Sequence, residues 1–365
     1  MHTWQHSPLS IMLSCVPQIA TLRSFEGCVG VTRLPMIDRL MRESLIGNEQ
    51  SVEQLIKRLR AGDVRALARA VSLVENDAAG AAEVLSGCFP YSGRALRIGV
   101  TGAPGAGKST IVDKLARHYR GEGVTVGVIA VDPTSPFTGG AILGDRIRMQ
   151  ENLGDPGFYV RSMATRGSLG GLARATADVA SVIEASGKDV ILIETVGVGQ
   201  DEIDIVRLSD VTIVVLVPGM GDDVQSLKAG IMEIADLFVV NKADREGADR
   251  VEREVRGMQS LAMSHGERIP PVIKTIASTG QGIDTLTEAI AEMKEWLQVD
   301  GRMEARRRKY WRERLTEMIR YALMRQVRKH GLSDTELDAL AERVTSGQED
   351  PYKLVPVLVA RVVKA

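Results

Sequence analysis

The sequence predicts an α/β fold: a mostly parallel sheet covered by helices on both faces, with helical extensions at each end. Two observations carry this expectation. From Ala95 onward, short apolar, β-branched runs alternate with longer amphipathic stretches. Strands buried on both faces read as near-continuous apolar runs, and parallel neighbours need a crossover, usually a helix. Before Ala95 and after residue 298 the strand-like runs stop, and apolar residues recur at helical spacing.

Taken in order, residues 1–36 have weak periodicity and are expected to be a disordered or non-native extension, with Met36 or Met41 as alternative starts. Residues 37–92 read as an N-terminal helical segment. Val52, Leu55, Ile56 and Leu59 fall at i, i+3, i+4 and i+7, and Val64, Leu67, Ala68 and Val71 resume the pattern after a break at Gly62-Asp63. Asp63 is the expected N-cap of the second helix. The main block, 93–298, offers the strands ALRIGV, TVGVIAV, DVILIE, VTIVVLV, DLFVV and PVIKTIA, with FYVRSM as a weaker one, and closes on the helical GIDTLTEAIAEMKEWL. Residues 299–365 form a C-terminal helical arm. Trp311, Leu315, Met318, Ala322, Leu323 and Val327 make an apolar stripe, suited to seat another helix and hence a homodimer. The basic run Arg306, Arg307, Arg308, Lys309, Arg312 and Arg314 reads as a solvated face, because no interleaved aromatics mark a nucleic-acid patch.

Composition narrows the class. The 365 residues are 44% hydrophobic and 25% charged with a formal net charge of -1, so bulk charge recommends neither nucleic acid nor membrane as a partner. Cys15, Cys28 and Cys88 are odd in number and widely spaced, which suits a reducing cytoplasm better than a disulfide framework. The early stretch IMLSCVPQIATL is too short for a membrane span, contains Pro17 and lacks a preceding Lys or Arg, so it makes a poor secretory signal.

Chemistry enters at the turn after the strand ALRIGV. Gly102-Ala-Pro-Gly105-Ala106-Gly107-Lys108-Ser109-Thr110 has the form G-x-x-x-x-G-K-S, a P-loop. Its glycines let backbone N–H groups approach phosphate oxygens, Lys108 reaches the β/γ-phosphates, Ser109 offers a hydroxyl to Mg²⁺, and the next helix points its positive end at the anion. The strand DLFVV leads into Asn241-Lys242-Ala243-Asp244, N-K-x-D at a strand end. A carboxylate at Asp244 accepts bonds from guanine N1–H and the exocyclic amine, Lys242 lays its stem along the base, and Asn241 ties this loop to the P-loop. Ser278, at a later strand end, falls where a backbone N–H meets guanine O6. The ligand expected is therefore GTP or GDP.

Mg²⁺ takes oxygen ligands. Three acids are candidates beside Ser109: Asp132, Asp145 and Glu194. Glu194 ends DVILIE where many P-loop GTPases have Asp; its extra methylene lets it reach the metal through water or position the attacking water. With Lys108, Glu194 and Asp145 are the catalytic candidates. Gly197 can place an N–H on the γ-phosphate. Gln200 follows Gly197 only after two intervening residues and is read as a switch residue, not as the water-orienting group. PGMGDDVQSLK, carrying Asp222, Gln225 and Lys228, reads either as a strand-to-helix turn capped by Asp222 or Asp223, or as a mobile element relaying nucleotide state to a partner.

The motifs GAPGAGKST, VDPTSPFTGGAILGDRIRM, ETVGVGQ, PGMGDDVQSLKAGI and VNKAD resemble, in this order, the MeaB/ArgK-type GTPases, chaperones associated with methylmalonyl-CoA mutase in the SIMIBI class of P-loop proteins. The resemblance implies a homodimeric, Mg²⁺-dependent GTPase that gates loading of adenosylcobalamin into a B12-dependent acyl-CoA mutase, protects that enzyme and helps eject damaged cofactor. It implies phosphate and Mg²⁺ roles for Lys108 and Ser109, metal and switch roles for Asp132, Asp145 and Glu194, and guanine roles for Asn241, Lys242 and Asp244. It makes the loop through Asp222, Gln225 and Lys228 a third switch contacting the mutase. Cobalamin would enter only through that partner. Three other readings compete. A metal-insertion GTPase needs clustered soft or imidazole ligands, whereas the 5 His are scattered and no C-x-x-C occurs. A kinase of a transport protein sits poorly with NKAD. A nucleotide-sensing scaffold would differ in hydrolysing GTP negligibly.

Overall fold

The computed structural model describes residues 51–132, 154–164, 171–195, 208–219, 234–262, 268–330 and 332–363. A helix over 51–60 (α1) precedes α2 (Val64–Glu75), α3 (Ala81–Cys88) and a short 3-10 helix at Phe89–Tyr91. Then come β1 (Leu96–Gly102), α4 (Lys108–Gly121), β2 (Val126–Asp132), β3 (Phe158–Ala164), α5 (Gly171–Ala185), β4 (Val190–Glu194), β5 (Val211–Leu216), β6 (Leu237–Asn241), α6 (Ala248–Ala262), β7 (Val272–Thr275) and α7 (Ile283–Gln298). The arm comprises α8 (Arg302–His330), α9 (Asp334–Thr345) and α10 (Pro351–Val363).

The strands form one seven-stranded sheet in the order β3-β2-β4-β1-β5-β6-β7, and every pair is parallel. The chain steps from β1 to one side, returns to insert β4 beside β1, then continues on the other side through β5. Strand order therefore reverses around β1, and the crevice beyond the C-terminal strand ends at such a point is where open α/β sheets bind ligands. The period of two assigns the faces. Ile98, Val100, Leu192, Ile213 and Val215 pack with α4 and α7. Ile129, Val131, Ile191 and Ile193 pack with α1, α2, α3 and α5. Val214, Leu216, Phe238 and Val240 pack with α6. Every position of β4, β5 and β6 is buried, which is why these strands show no polar alternation in the sequence. FYVRSM, the weakest pattern, is β3 at the sheet edge.

Asp63 caps α2 as expected: its Oδ1 accepts from the N–H groups of Arg65 at 2.9 Å and Ala66 at 3.1 Å. The buried face of α2 is Ala66, Leu67, Ala70, Val71 and Val74, so Val64 and Ala68 of the expected stripe fall outside it, Ala68 half-buried at its edge. Val64 opens the helix and is exposed.

The basic run at the root of α8 departs from expectation. Arg306 grips Asp236 with two bonds of 2.8 and 2.9 Å, Arg307 reaches Asp210 at 3.3 Å, and Arg314 pairs with Asp178 at 2.5 Å. Asp210 and Asp236 immediately precede β5 and β6, where Asp210 also accepts from Arg97 N–H and Asp236 from Thr212 N–H. These carboxylates are buried, and a buried carboxylate needs a cation and hydrogen bonds. The arm supplies them, so two of the six basic residues clamp α8 to the base of the sheet and a third, Arg314, ties it to α5; Arg308, Lys309 and Arg312 are exposed. Further along α8, Leu315, Met318, Leu323 and Met324 stand exposed. Among the described residues, no helix is long and apolar enough to cross a membrane.

Candidate functional site

The P-loop joins β1 to α4, at the C-terminal end of the central strand. Two of its glycines, Gly102 and Gly107, are required by contact as well as by conformation. Gly107 has φ 91°, and a Cβ there would stand 2.4 Å from Asn241 Nδ2; Gly102 has φ 138°, and a Cβ would stand 2.2 Å from the Val215 carbonyl oxygen. Lys108 is buried, and its Nζ donates to the Gly102 and Ala103 carbonyls at 2.7 and 3.1 Å. The amine thus curls over the loop whose N–H groups would meet phosphate.

Ser109 Oγ donates to Glu194 Oε1 at 2.5 Å. β4 delivers Glu194 there because it lies beside β1, with Val100 opposite Glu194. Thr195 holds the junction: its N–H bonds the Val100 carbonyl at 3.1 Å, and its hydroxyl bonds the Thr101 hydroxyl at 3.0 Å. Asp132 closes β2, the other neighbour of β4. A hydroxyl against a carboxylate, with an Asp ending the adjacent strand, is an oxygen donor set and fits a hard cation such as Mg²⁺.

Asn241, at the end of β6, is the physical link between the two signature loops. Its Nδ2 donates to the Ala106 carbonyl at 2.8 Å, while its Oδ1 accepts from the Thr275 hydroxyl and the Ala277 N–H, both at 3.1 Å. Lys242 takes the left-handed φ of 56° and donates from Nζ to the Gly105 carbonyl at 2.8 Å. The Ala243 N–H bonds the Thr275 carbonyl at 3.0 Å. These contacts set the loop bearing Asp244 beside the one bearing Ser278, and both residues are exposed at that edge.

The fold therefore gathers Gly102, Gly105, Ala106, Gly107, Lys108, Ser109, Thr110, Glu194, Asn241 and Lys242 at one end of the sheet, with Asp244 and Ser278 on the flanking loops. Asp145, Gly197, Gln200, Asp222, Gln225 and Lys228 lie outside the described residues, and for Asp132 only the backbone is described. Sequence reasoning passed over Thr101, Thr195 and Thr275. A threonine at a strand end carries no local signal of its partner, and these partners are distant in the chain.

Comparison with known proteins supplies the family and supports the fold. The family model described as methylmalonyl Co-A mutase-associated GTPase MeaB matches residues 67–331. A Pyrococcus horikoshii protein is 48% identical over 317 residues, 86% of this chain and 99% of that one. The GTPase ArgK of Escherichia coli is 37% identical over 299 residues, covering 80% and 89% of the two chains. The mitochondrial methylmalonic aciduria type A homolog of Mus musculus is 33% identical over 267 residues, 72% of this chain and 64% of its own. Among solved structures, LAO/AO transport system kinase superposes with a TM-score of 0.64 at 28% identity, over 87% of this chain and 98% of that one. With a family match across most of its length on a seven-stranded parallel P-loop fold, the chain is a GTPase and belongs to the MeaB family.

Proposed function

We propose that this GTPase is the nucleotide-driven chaperone of an adenosylcobalamin-dependent acyl-CoA mutase, gating cofactor loading and protecting or reactivating the enzyme. The observation that carries the nucleotide half is the interlock of the two loops through Asn241 and Lys242 on the P-loop carbonyls. A base-reading loop bonded to a phosphate-reading loop makes recognition of guanine and triphosphate one event. The client half rests on the family's association with methylmalonyl-CoA mutase.

In this reading Lys108 leaves the Gly102 and Ala103 carbonyls for the β/γ-phosphate oxygens, where its charge offsets the negative charge of phosphoryl transfer. The N–H groups from Gly105 to Thr110 cradle the phosphates at the start of α4. Asp244 reads guanine, Lys242 covers the base, and the backbone at Ser278 meets O6. Ser109, Asp132, Asp145 and Glu194 would hold Mg²⁺, which when bound neutralises phosphate charge. Glu194, freed from the Ser109 hydroxyl, orients the attacking water. Gly197 and Gln200 follow the γ-phosphate, and Asp222, Gln225 and Lys228 carry its state to the mutase. The exposed apolar stripe of α8 joins two copies, and the protein works in the cytoplasm. The test is capture of purified B12-dependent acyl-CoA mutases by the full chain, with GDP and with a non-hydrolysable GTP analogue. Nucleotide-dependent capture and a change in cobalamin loading are expected; no capture in either state, with GTP binding intact, overturns the client. The rival kinase reading requires transfer of labelled phosphate from nucleotide to a protein acceptor in the same preparation.

A further inference from the structure

At the far end of the sheet from the P-loop, where α8 is clamped to the starts of β5 and β6, lies a cavity of about 300 Å³, within the size range of small-ligand sites. Most of its wall comes from the 3-10 helix at Phe89–Tyr91 and the turn after it, the segment Leu208–Asp210, and the root of α8 through Tyr310 and Trp311, with Arg97 of β1 and Glu184 of α5 completing it. The chain holds only 5 Phe, 6 Tyr and 3 Trp, and three of these aromatics meet here. Phe89 and Trp311 pack edge to face at 5.7 Å, yet remain 60% and 38% exposed. Apolar rings left open to water beside a cavity mark a surface that gains from being covered.

The polar lining separates into spent and unspent groups. Arg97 is paired with Glu184 at 2.8 Å, Arg307 with Asp210, and Arg306 with Asp236. The second oxygen of Glu184 takes the Arg94 and Ala95 N–H groups. These charges hold one another and the backbone, leaving little net charge to attract an ion. Ser209 differs. It lines the cavity, is 7% exposed, and its Oγ is buried without a hydrogen-bond partner among the described residues. A buried hydroxyl left unpaired is costly, and a serine hydroxyl turns about a single torsion toward whatever fills the adjoining space.

We infer that this cavity is a second ligand site, separate from the nucleotide site, for a small uncharged molecule with one flat apolar face and one hydrogen-bonding group. The face would lie against Phe89, Leu208 and Trp311, and the polar group would pair with Ser209. Because α8 forms one wall and the 3-10 helix another, occupancy would brace the arm against the body. The inference does not depend on the client enzyme or on any role at the P-loop.

Benzyl alcohol is the probe, followed on the full chain by saturation-transfer NMR, with toluene, benzoate and benzylamine as comparisons. Saturable binding of benzyl alcohol is expected, with toluene weaker and both ions weaker still. Ser209→Ala should weaken benzyl alcohol about three- to tenfold while leaving toluene within about twofold, the loss of one neutral hydrogen bond. Leu208→Trp should fill the space and remove binding of both, with GTP hydrolysis unchanged in either variant. Unsaturable benzyl alcohol, an equal effect of Ser209→Ala on alcohol and toluene, or binding of benzoate or benzylamine as tight as that of the alcohol would each overturn the site. Ser209→Ala removes only one oxygen, so its result stands even if Leu208→Trp fails to fold.

Discussion

Replacing Asn241 by alanine tests the interlock directly. The side chain is 2% exposed and makes three hydrogen bonds, to the Ala106 carbonyl, the Thr275 hydroxyl and the Ala277 N–H. Ala106, Thr275 and Ala277 are themselves 0%, 1% and 2% exposed, so truncation strands three groups away from water. Each stranded group costs roughly 1–3 kcal/mol. The Thr275 hydroxyl can turn to another acceptor, and the vacated carboxamide volume can admit one water, so the three costs do not simply add. A net loss of about 2–4 kcal/mol follows, or a fall in Tm of roughly 3–5 °C for a chain of 365 residues. The assay is thermal unfolding with and without saturating GDP. The ligand-induced rise in Tm should also shrink, because the base-reading loop is no longer tied to the phosphate loop. A variant melting within about 1 °C of the parent, with the full GDP-induced rise, would refute the reasoning.

Three further outcomes are expected. Asp244→Asn should shift preference from guanine toward xanthine nucleotides by at least tenfold, the scale of one charged hydrogen bond, read by competition binding; an unchanged ratio removes Asp244 from the base site. Arg306→Ala should cost about 1–3 kcal/mol, below the usual figure for a buried pair because Arg306 is partly exposed. Adding Asp236→Asn should recover part of that loss in denaturant unfolding, since the stranded carboxylate is then gone. The Arg120 side-chain bonds, and then the Gly157 N–H, hold the Asp155 carboxyl below its ordinary value of 3.8. Its contribution to stability is therefore present above pH 3.8 and lost as pH falls through its lower folded value. Asp155→Asn should flatten the acid limb of the stability profile below that pH and leave the slope near neutrality unchanged.

The local chemistry was legible in the chain because it depends on short-range rules. The five inner strands follow from burial on both faces, the P-loop from glycines that let N–H groups turn inward, and the α2 cap from an Asp placed before an amphipathic run. NKAD could be read for the same reason: residue types at one strand end define a hydrogen-bonding pattern. What only the tertiary structure decided are pairings between residues far apart in the chain. Strand order placed β4 beside β1 and so brought Glu194 to Ser109, and it set Asn241 against Ala106. The arginines of α8 read as solvated because the acids that claim three of them lie in other segments, at the base of the sheet and on α5. Periodicity reports which face of a helix is apolar; it carries no information about which distant carboxylate a folded chain will bury beneath it.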